Sequence, residues 1–337
     1  MINQEKKHIY LIDGSGYIFR AYYALPPLTR KSDGLPVGAV SGFCNMLYKF
    51  VEEAKNLDKI DRPTHLVVVF DSARKNFRND IYKDYKANRE NAPEDLIPQF
   101  SLIRKAVEAF NIPSIEMINY EADDIIATYK EQASKKNIKV TIISSDKDLM
   151  QLVDDNTCMF DSMKDKFIDK EQVKEKFGVY PNKVIDIQSL AGDSSDNVPG
   201  VPGIGIKTAA ELINKYGSLD NLLKNISNIK QPKRKQTLLD NKENALISRK
   251  LVTLKKNVPI KNKLDEFLLK EIDSNKILNF LKEMEFSRLY KRIDSDYGKS
   301  SENNEQIKNQ KEKEKKKEAI IIKDSKKIKK IAKEDFV

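Results

Sequence analysis

Nine acidic residues of this chain are spaced in a way that could hold divalent metal ions. They are Asp13, Asp71, Glu121, Asp123, Asp124, Asp146, Asp148, Asp193 and Asp196. If they converged, so many carboxylates would repel one another strongly unless cations compensated them. The chain contains only two histidines and two isolated cysteines, so oxygen atoms must supply the ligands. Such a ligand set favours Mg²⁺ or Mn²⁺ over zinc.

Three apolar runs place several of these acids at one edge of a predicted sheet. The runs cover residues 9–12, 66–70 and 140–143. They are rich in β-branched residues and separated by helical patterns, which is typical of buried parallel strands. Asp13 and Asp71 end the first two runs, and Asp146 and Asp148 follow the third. A lone aspartate at a strand end is often only a turn or a cap, but its repetition on three strands favours a ligand site beyond the carboxyl ends.

A second acidic group opens a predicted helix, in the sequence Glu-Ala-Asp-Asp at 121–124. Acids in a first helical turn are favoured by the helix dipole and by capping, so a purely structural role stays open. Three carboxylates in four residues exceed what capping needs. Glu121 and Asp124 share one helix face at i, i+3, with Asp123 beside them.

The stretch 189–209 combines the remaining acids with a glycine-rich turn. It contains Asp193, Asp196, Gly200, Gly203 and Gly205 and leads into a predicted helix at 207–216. A glycine turn before a helix can hold a phosphate on its backbone N–H groups. Taken alone, such a turn is more often a plain connection between helices.

Residues 72–93 are basic, interleaved with aromatic side chains and poor in aliphatic ones. A core cannot be built from this composition. The segment therefore indicates either a solvated helix or a nucleic-acid surface, and its residues alone favour neither.

Five separated motifs resemble those of the structure-specific 5′ nucleases, the family of the flap endonucleases and of the 5′ nuclease domain of bacterial DNA polymerase I. One is Gly-Asp-x-Ser-Asp-Asn-x-Pro-Gly-x-x-Gly-Ile-Gly-x-Lys-Thr-Ala, at 192–209. Another is Phe-Asp-x₅-Phe-Arg-x₃-Tyr-x-x-Tyr-Lys-x-x-Arg, at 70–89. The others are the opening Asp13-Gly-Ser, the Glu-Ala-Asp-Asp at 121–124 and the Asp-Lys-Asp at 146–148. The resemblance covers roughly residues 8 to 292.

The resemblance implies an α/β fold, with a parallel-sheet PIN-like nuclease core and a helical arch at about 72–100. A helical DNA-binding region with a helix-three-turn-helix is expected to follow. The implied division is residues 1–180 for the core, 181–296 for the helical region and 297–337 for a basic tail.

The resemblance also assigns roles to particular residues. All nine acids are implied as ligands of two Mg²⁺ or Mn²⁺ ions, with Asp123 bridging them and counted as catalytic. Lys86 and Arg89 are the implied catalytic cations that neutralise the scissile phosphate. The implied DNA contacts are Tyr82, Lys86, Arg89, Gly200, Gly203, Gly205, Lys207 and Thr208. Family members also hold a K⁺ ion on the carbonyl groups of the glycine hairpin.

The implied activity is hydrolysis of phosphodiester bonds at 5′ flaps and 5′ ends of duplex DNA, in replication and repair. The expected partners are flapped, nicked or gapped duplexes and RNA primer ends, handled by a monomer fused to or working with a DNA polymerase. The net charge of +10 favours such polyanions. A phosphatase with an aspartate nucleophile would need an acid where Ser15 stands. A non-catalytic DNA-binding module would leave the acidic clusters without a purpose.

The end of the chain carries half of the excess charge. Residues 299–337 hold 13 Lys against 8 acids, and 13 − 8 = +5. Their composition predicts a polar linker at 299–317, followed by either the start of a proofreading-type domain or a plain basic tail. We expect residues from about 297 to be mobile or poorly packed. Asp13 interrupts the apolar N-terminal run, so neither a signal peptide nor a membrane span is expected, and a reducing cytoplasm is the expected location.

Overall fold

The computed structural model describes residues 7–56, 62–162 and 164–298. The prediction for the tail beyond residue 298 therefore lies outside the described residues. The chain divides into two compact units, and the division falls between Glu271 and Ile272 in the sequence. The boundary expected near residue 180 lies within the first unit, and the three predicted domains stay a prediction.

The first unit contains a six-stranded sheet. Its strands are β1 (His8–Asp13), β2 (His65–Val69), β3 (Ser114–Ile115), β4 (Lys139–Ile143), β5 (Thr157–Asp161) and β6 (Lys166–Ile168). Their spatial order is β3-β2-β1-β4-β5-β6. All neighbouring pairs are parallel except β5 and β6, which are antiparallel. The predicted parallel α/β core is thus confirmed.

The strand register places the predicted acids at one edge of the sheet. Asp13 lies opposite Val69, the last residue of β2, and Ile12 lies opposite Ile143, the last residue of β4. β1 and β2 are buried along their whole length, because helices cover both faces of such a sheet. The polar residues that follow the strands therefore emerge together at the carboxyl edge.

Thirteen helices accompany the sheet in the part of the chain that is described. They are α1 (Gly14–Ala24), α2 (Gly38–Asn56), α3 (Arg78–Ile81), α4 (Gln99–Ala109), α5 (Ala122–Lys135), α6 (Lys170–Phe177), α7 (Val184–Ala191), α8 (Ile206–Tyr216), α9 (Leu219–Lys224), α10 (Pro232–Asp240), α11 (Lys242–Val252), α12 (Ser274–Glu283) and α13 (Ser287–Ile293). Short 3₁₀ turns occur at Asp148–Leu152, Pro181–Lys183, Ile226–Asn228 and Leu264–Phe267, and a π-turn at Asp294–Gly298. In the described residues no helix is both long and apolar enough to cross a membrane.

Helix ends follow local capping chemistry. The side chain of Ser218 accepts the N–H of Asn221 at the start of α9, as expected for an N-cap. Gly217 ends α8 with a φ of 84°, a conformation that glycine adopts without steric cost.

The segment predicted as a helical arch contains less helix than expected. Between Asp71 and α4 its one regular helix is α3, a single turn of four residues. A series of tight turns follows, and we call residues 82–89 the arch-base turn. Lys86 within it has a φ of 55°, which cannot continue a right-handed helix.

The end of the first unit returns to the sheet. Leu268 forms an isolated bridge with His65, and the N–H of Leu269 donates to the carbonyl of Thr64 at 2.9 Å. The ring of Phe267 packs edge-on against Tyr129 of α5, with 4.9 Å between ring centroids. The main hydrophobic core is therefore continuous from the strands to residue 267.

Candidate active site

Asp13 begins the acidic site and also caps α1. Its Oδ1 accepts the N–H of Gly16 at 3.0 Å, and its Oδ2 accepts the Ser144 hydroxyl at 2.8 Å. Ser144 Oγ in turn accepts the N–H of Asp146 at 3.0 Å. Burial and the charge of Asp146 together raise the pKa of Asp13 to about 6, against the opposing hydrogen bonds from Gly16 and Ser144. Two strand-end acids thus share one electrostatic environment.

Asp71 joins the end of β2 to the start of α5. Its Oδ1 accepts the N–H of Ala122 at 2.7 Å. Its own N–H donates to the hydroxyl of Ser15 at 2.9 Å. The acidic first turn of α5 is therefore fixed at the carboxyl edge of the sheet.

Asp123, in the first turn of α5, shares the electrostatic environment of the acids at the strand ends. Burial raises its pKa well above the ordinary range, and the charges of Asp146, Asp13 and Glu121 raise it further. A carboxylate whose charge is opposed by three others is the position at which a cation is most stabilising. This placement agrees with the predicted role of Asp123 as the ligand shared by two ions, which stays a prediction.

Asp148 extends the acidic site toward the helical region. Its pKa is raised to about 7 by burial and by the charges of Asp146 and Asp196, against a hydrogen bond from Gln188. The amide Nε2 of Gln188 donates to Asp148 at 2.5 Å. The N–H of Asp148 donates to Asp146 Oδ1 at 2.8 Å, so the two acids of the third strand are held as a pair.

Glu121 differs from its neighbours because basic and polar groups surround it. Lys86 forms an ion pair with it, and Arg78 lies 3.3 Å away. The hydroxyl of Tyr85 and the amide of Asn76 also donate to its carboxylate, at 3.1 and 3.0 Å. Burial alone would raise the pKa of Glu121, but Lys86 and Arg78 hold it below its usual range.

Asp124 requires a correction to the prediction that it binds metal directly. It is fully buried and forms a two-pronged ion pair with Arg78, at 2.7 and 2.8 Å. Its oxygens also accept the N–H groups of Glu121 at 3.2 Å and of Lys255 at 2.8 Å. Four donors fill the acceptor positions of a carboxylate, so Asp124 has a structural role here.

Arg78 connects this ion pair to the helical region. Its side chain is 1% exposed, and its Nε donates to the carbonyl of Leu251 at 2.7 Å. Gln151 adds a second link, because its Nε2 donates to the carbonyl of Val252 at 2.9 Å. Two buried polar side chains of the α/β core thus hold the end of α11.

The last two predicted ligands lie in the acidic loop, which we define as residues 193–198. Lys147 pairs with Asp193 at 2.6 Å. Partial burial would raise the pKa of Asp193, but the hydrogen bonds from Lys147 and Ser195 lower it. Asp196 is ion-paired with Arg89, and Lys86 lies 3.6 Å from it. The two predicted catalytic cations therefore face acids of the site.

The nine predicted ligands come together only in part. No three carboxylate, imidazole or thiol side chains of residues 7–56, 62–162 and 164–298 lie close enough to share one metal ion. Like charges repel, and Lys86, Arg89 and Lys147 compensate the acids nearest to them. The donor set still fits hard divalent ions, because Asp13, Asp123 and Asp148 are oxygen ligands whose pKa values are raised by burial and then by neighbouring acids.

The glycine turn contains two kinds of glycine. A Cβ on Gly200 would lie 2.4 Å from the backbone nitrogen of Gly192, and the N–H of Gly200 donates to Ser248 Oγ at 2.8 Å. The buried position and the bonded N–H of Gly200 argue against a DNA contact through that N–H, and the predicted contact stays a prediction. Around Gly203 and Gly205, by contrast, no described atom would lie within 4 Å of an added Cβ.

The other predicted DNA contacts differ in exposure. Lys207 is exposed and Thr208 half-buried in the first turn of α8. Tyr82 is half-buried against a small cluster that includes Tyr85 and Val198, so packing accounts for much of its surface. Whether these residues bind DNA stays a prediction.

Sequence reasoning missed several residues that organise the site. They are Ser15, Asn76, Arg78, Tyr85, Ser144, Lys147 and Gln188. Arg78 and Tyr85 stand inside the quoted Phe-Arg-x₃-Tyr-x-x-Tyr motif, so the motif carried a signal. Residue type alone could not show that Arg78 is buried, because arginine is mostly exposed in proteins.

Comparison with known protein families identifies the class to which this fold and its acidic edge belong. Residues 8–178 match the family model described as "5'-3' exonuclease, N-terminal resolvase-like domain". Residues 179–275 match the model described as "5'-3' exonuclease, C-terminal SAM fold". The chain therefore belongs to the 5′-3′ exonuclease family.

Particular relatives are of two lengths. The chain is 57% identical over 286 residues to a DNA polymerase I of Rhizobium leguminosarum, covering 85% of this chain and 28% of the relative. It is 40% identical over 298 residues to a 5′-3′ exonuclease of Aquifex aeolicus, covering 88% of this chain and 98% of the relative. The chain thus spans less than a third of the first relative and nearly all of the second.

Among solved structures, the T5 D15 protein co-crystallised with metal ions has a similar fold. The TM-score is 0.63 at 21% identity, covering 81% of this chain and 99% of that one. At this identity the likeness shows the 5′ nuclease fold, which confirms the predicted fold class.

Proposed function

We propose that this chain is a 5′ nuclease that uses two Mg²⁺ or Mn²⁺ ions to hydrolyse phosphodiester bonds near the junction of a 5′ flap with duplex DNA. One observation carries the proposal. Acids that follow β1 and β4, Asp13 and Asp146, lie near enough to Asp123 at the start of α5 that their charges add to burial in raising its pKa, and two basic residues from the arch-base turn face acids of the same site.

The residues that would hold the ions are the eight predicted acids other than Asp124, which is fully buried against Arg78. They are Asp13, Asp71, Glu121, Asp123, Asp146, Asp148, Asp193 and Asp196. When bound, two divalent ions lower the pKa of an attacking water and stabilise the charge of an in-line phosphoryl transition state. The chain itself contributes fixed carboxylates on rigid strand ends, which is where a site is positioned most accurately.

Lys86 and Arg89 would neutralise the scissile phosphate. Both can reach the site from the arch-base turn, as their ion pairs with Glu121 and Asp196 illustrate. Donors directed at the charge that develops in a transition state contribute more to rate than to ground-state affinity. Replacing either by alanine should therefore slow cleavage about a hundredfold and change duplex affinity little.

The open glycines Gly203 and Gly205, with Lys207 and Thr208, would hold the duplex backbone at the start of α8. A K⁺ ion on the carbonyl groups of this turn is part of the proposal. The expected substrates are flapped, nicked or gapped duplexes and RNA primer ends, processed by a monomer that is fused to or works with a DNA polymerase. The free cysteines Cys44 and Cys158 fit a reducing cytoplasm.

The deciding experiment uses a 5′-flap duplex labelled at its end. We expect cleavage with Mg²⁺, none with a chelator, and none by Asp123→Ala, although that variant should still bind the flap in Ca²⁺. Full activity of Asp123→Ala would contradict the two-ion assignment. Binding without cleavage by the wild-type protein would favour a non-catalytic DNA-binding module instead.

A further inference from the structure

The arch-base turn holds Lys86 in an unfavourable backbone conformation. The φ of Lys86 is 55°, in the left-handed region that residues with a Cβ seldom adopt. Such a conformation persists only where surrounding contacts determine it. The contacts within the turn are short-range, such as the N–H of Arg89 donating to the carbonyl of Lys86 at 3.2 Å. Contacts from elsewhere must therefore help to fix it.

The acidic loop supplies these contacts through its backbone and through Asn197. The N–H of Lys86 donates to the carbonyl of Asp196 at 2.9 Å. The amide Nδ2 of Asn197 donates to the carbonyl of Asp84 at 2.7 Å. Asn197 has a φ of 55°, which asparagine tolerates better than most residues. One side of Lys86 is thus tied to the loop.

Asn88 ties the other side. Its Nδ2 donates to the carbonyl of Ser194 at 2.7 Å. The arch-base turn and the acidic loop are therefore joined by two reciprocal hydrogen bonds. In each, a side-chain amide of one segment donates to a backbone carbonyl of the other. The joined residues are 106 and 113 positions apart in the chain, so neither bond follows from local sequence.

Ion pairs alone would fix the two cations less well than these amides do. Lysine and arginine side chains have many rotamers and lose considerable entropy when held in one. Their reach is accurate only if the backbone from which they start is fixed. A misplacement of about 1 Å can slow an enzymatic step about a hundredfold.

We propose that Asn88 and Asn197 are positioning residues that hold the arch-base turn on the acidic loop, so that Lys86 and Arg89 address the scissile phosphate from a fixed backbone. The inference rests on the proposed function, in which these two cations act on the phosphate. The acidic loop continues directly into the glycine turn at 200–205. The two amides therefore couple the segment proposed to hold duplex DNA to the segment that supplies the catalytic cations.

The test compares Asn197→Gly and Asn88→Ala with Asn111→Gly in the full chain. Glycine at 197 removes the amide without adding backbone strain. Asn111 is a matched control, because it has a φ of 59° and its Nδ2 also donates to a distant carbonyl, that of Glu271, at 2.9 Å. Asn111 precedes β3 and so lies at the opposite edge of the sheet from the acids.

Two quantities are measured, flap cleavage and trypsin cleavage of the free protein. Lys83, Lys86 and Arg89 are trypsin sites within the turn. For Asn197→Gly and Asn88→Ala we expect kcat to fall about tenfold with KM within about twofold. Trypsin cleavage at the three sites should accelerate about three- to tenfold, the opening expected when one hydrogen bond is lost. Asn111→Gly should change neither quantity.

Wild-type kcat and wild-type trypsin resistance in both Asn197→Gly and Asn88→Ala would overturn the proposal. Equal losses in Asn197→Gly and Asn111→Gly would also overturn it, since the effect would then be general instability. Lys86→Ala separates this inference from the proposed function. If Lys86→Ala cleaves at the wild-type rate, the proposed role of Lys86 fails, whatever the asparagine variants do.

Discussion

The acids at the sheet edge and the acids of the acidic loop have opposite electrostatic environments. Asp13 and Asp123 lie among other carboxylates, and burial with like charge raises their pKa values. Asp193 and Asp196 each face a basic side chain, and the hydrogen bond from Lys147 lowers the pKa of Asp193 against its partial burial. The first group therefore lacks the basic partners that the second group has.

The contrast between the two groups of acids shows which part of the proposed site lowers the stability of the fold. At neutral pH a carboxylate with a raised pKa makes the folded chain less stable, because its charged form is disfavoured there. A carboxylate that is paired with a cation contributes in the opposite sense. Substitutions in the two groups should therefore change the free energy of unfolding in opposite directions.

The largest change in the free energy of unfolding is expected where a buried acid loses its ion-pair partner. Arg78→Ala removes the partner of Asp124 and leaves a fully buried charge, so the free energy of unfolding should fall by about 3–5 kcal/mol. Denaturant unfolding measures it. Arg249→Ala is the control, because Arg249 pairs with the exposed Asp220 at 2.8 Å and such pairs contribute less than about 1 kcal/mol. Similar losses in both variants would contradict the role given to Arg78.

The variants Asp123→Asn and Asp196→Asn, in a buffer with chelator at pH 8, test whether the two groups of acids have opposite effects on stability. Asp123→Asn should raise the free energy of unfolding by about 1–2 kcal/mol, because it removes a charge that three acids oppose. Asp196→Asn should lower it by a similar amount, because Arg89 loses its charged partner and Lys86 keeps only Glu121. Thermal unfolding provides the readout. Changes of the same sign in both variants would remove the distinction between the two groups.

A smaller effect is expected in the turn that continues the acidic loop. Gly203→Ala places a methyl group where DNA is proposed to approach, and duplex affinity should fall about tenfold, a change of about 1.4 kcal/mol. Gly34→Ala is a close control: the φ values are 75° and 74°, and no described atom would lie within 4 Å of the added methyl group at either position. Both variants carry the same backbone strain. Equal duplex affinity in the two variants would indicate that the turn only connects two helices and does not contact DNA.

The smallest effect concerns pH. The pKa of Asp148 is raised to about 7, so the folded state binds its proton more tightly than the unfolded state and stability falls as pH rises from about 4 to 7. Asp148→Asn cannot ionise. Without divalent metal at pH 8 its melting temperature should exceed that of the wild type by about 2–4 °C, and the gap should narrow at pH 5. If the difference in melting temperature were the same at pH 5 and pH 8, packing and not the charge of Asp148 would account for it.

Much of this arrangement could be predicted from the sequence, because buried strands have a strong pattern. The runs ending at Asp13 and Asp71 fixed the carboxyl edge, and one aspartate at each strand end was enough to indicate a site. The helix predicted at 207–216 also matches α8, which spans Ile206–Tyr216.

Other features depend on contacts that no local pattern contains. Helical spacing placed Asp124 on the face of Glu121 but could not show that Arg78 saturates it. Motif spacing treated Gly200 and Gly203 alike, although one is buried against Gly192 and the other is open. The left-handed backbone of Lys86 is held by a loop more than a hundred residues away, and such strain is invisible in composition.

The continuous core has a consequence for exchanging parts between relatives. The two family models meet between residues 178 and 179, yet Arg78 holds Leu251, Gln151 holds Val252 and Phe267 packs on Tyr129. A chimera joined at 178 would combine halves whose buried partners were selected in different proteins. A junction after Glu271 would keep these contacts within one parent, so nuclease modules of this kind should be transplanted as a single piece.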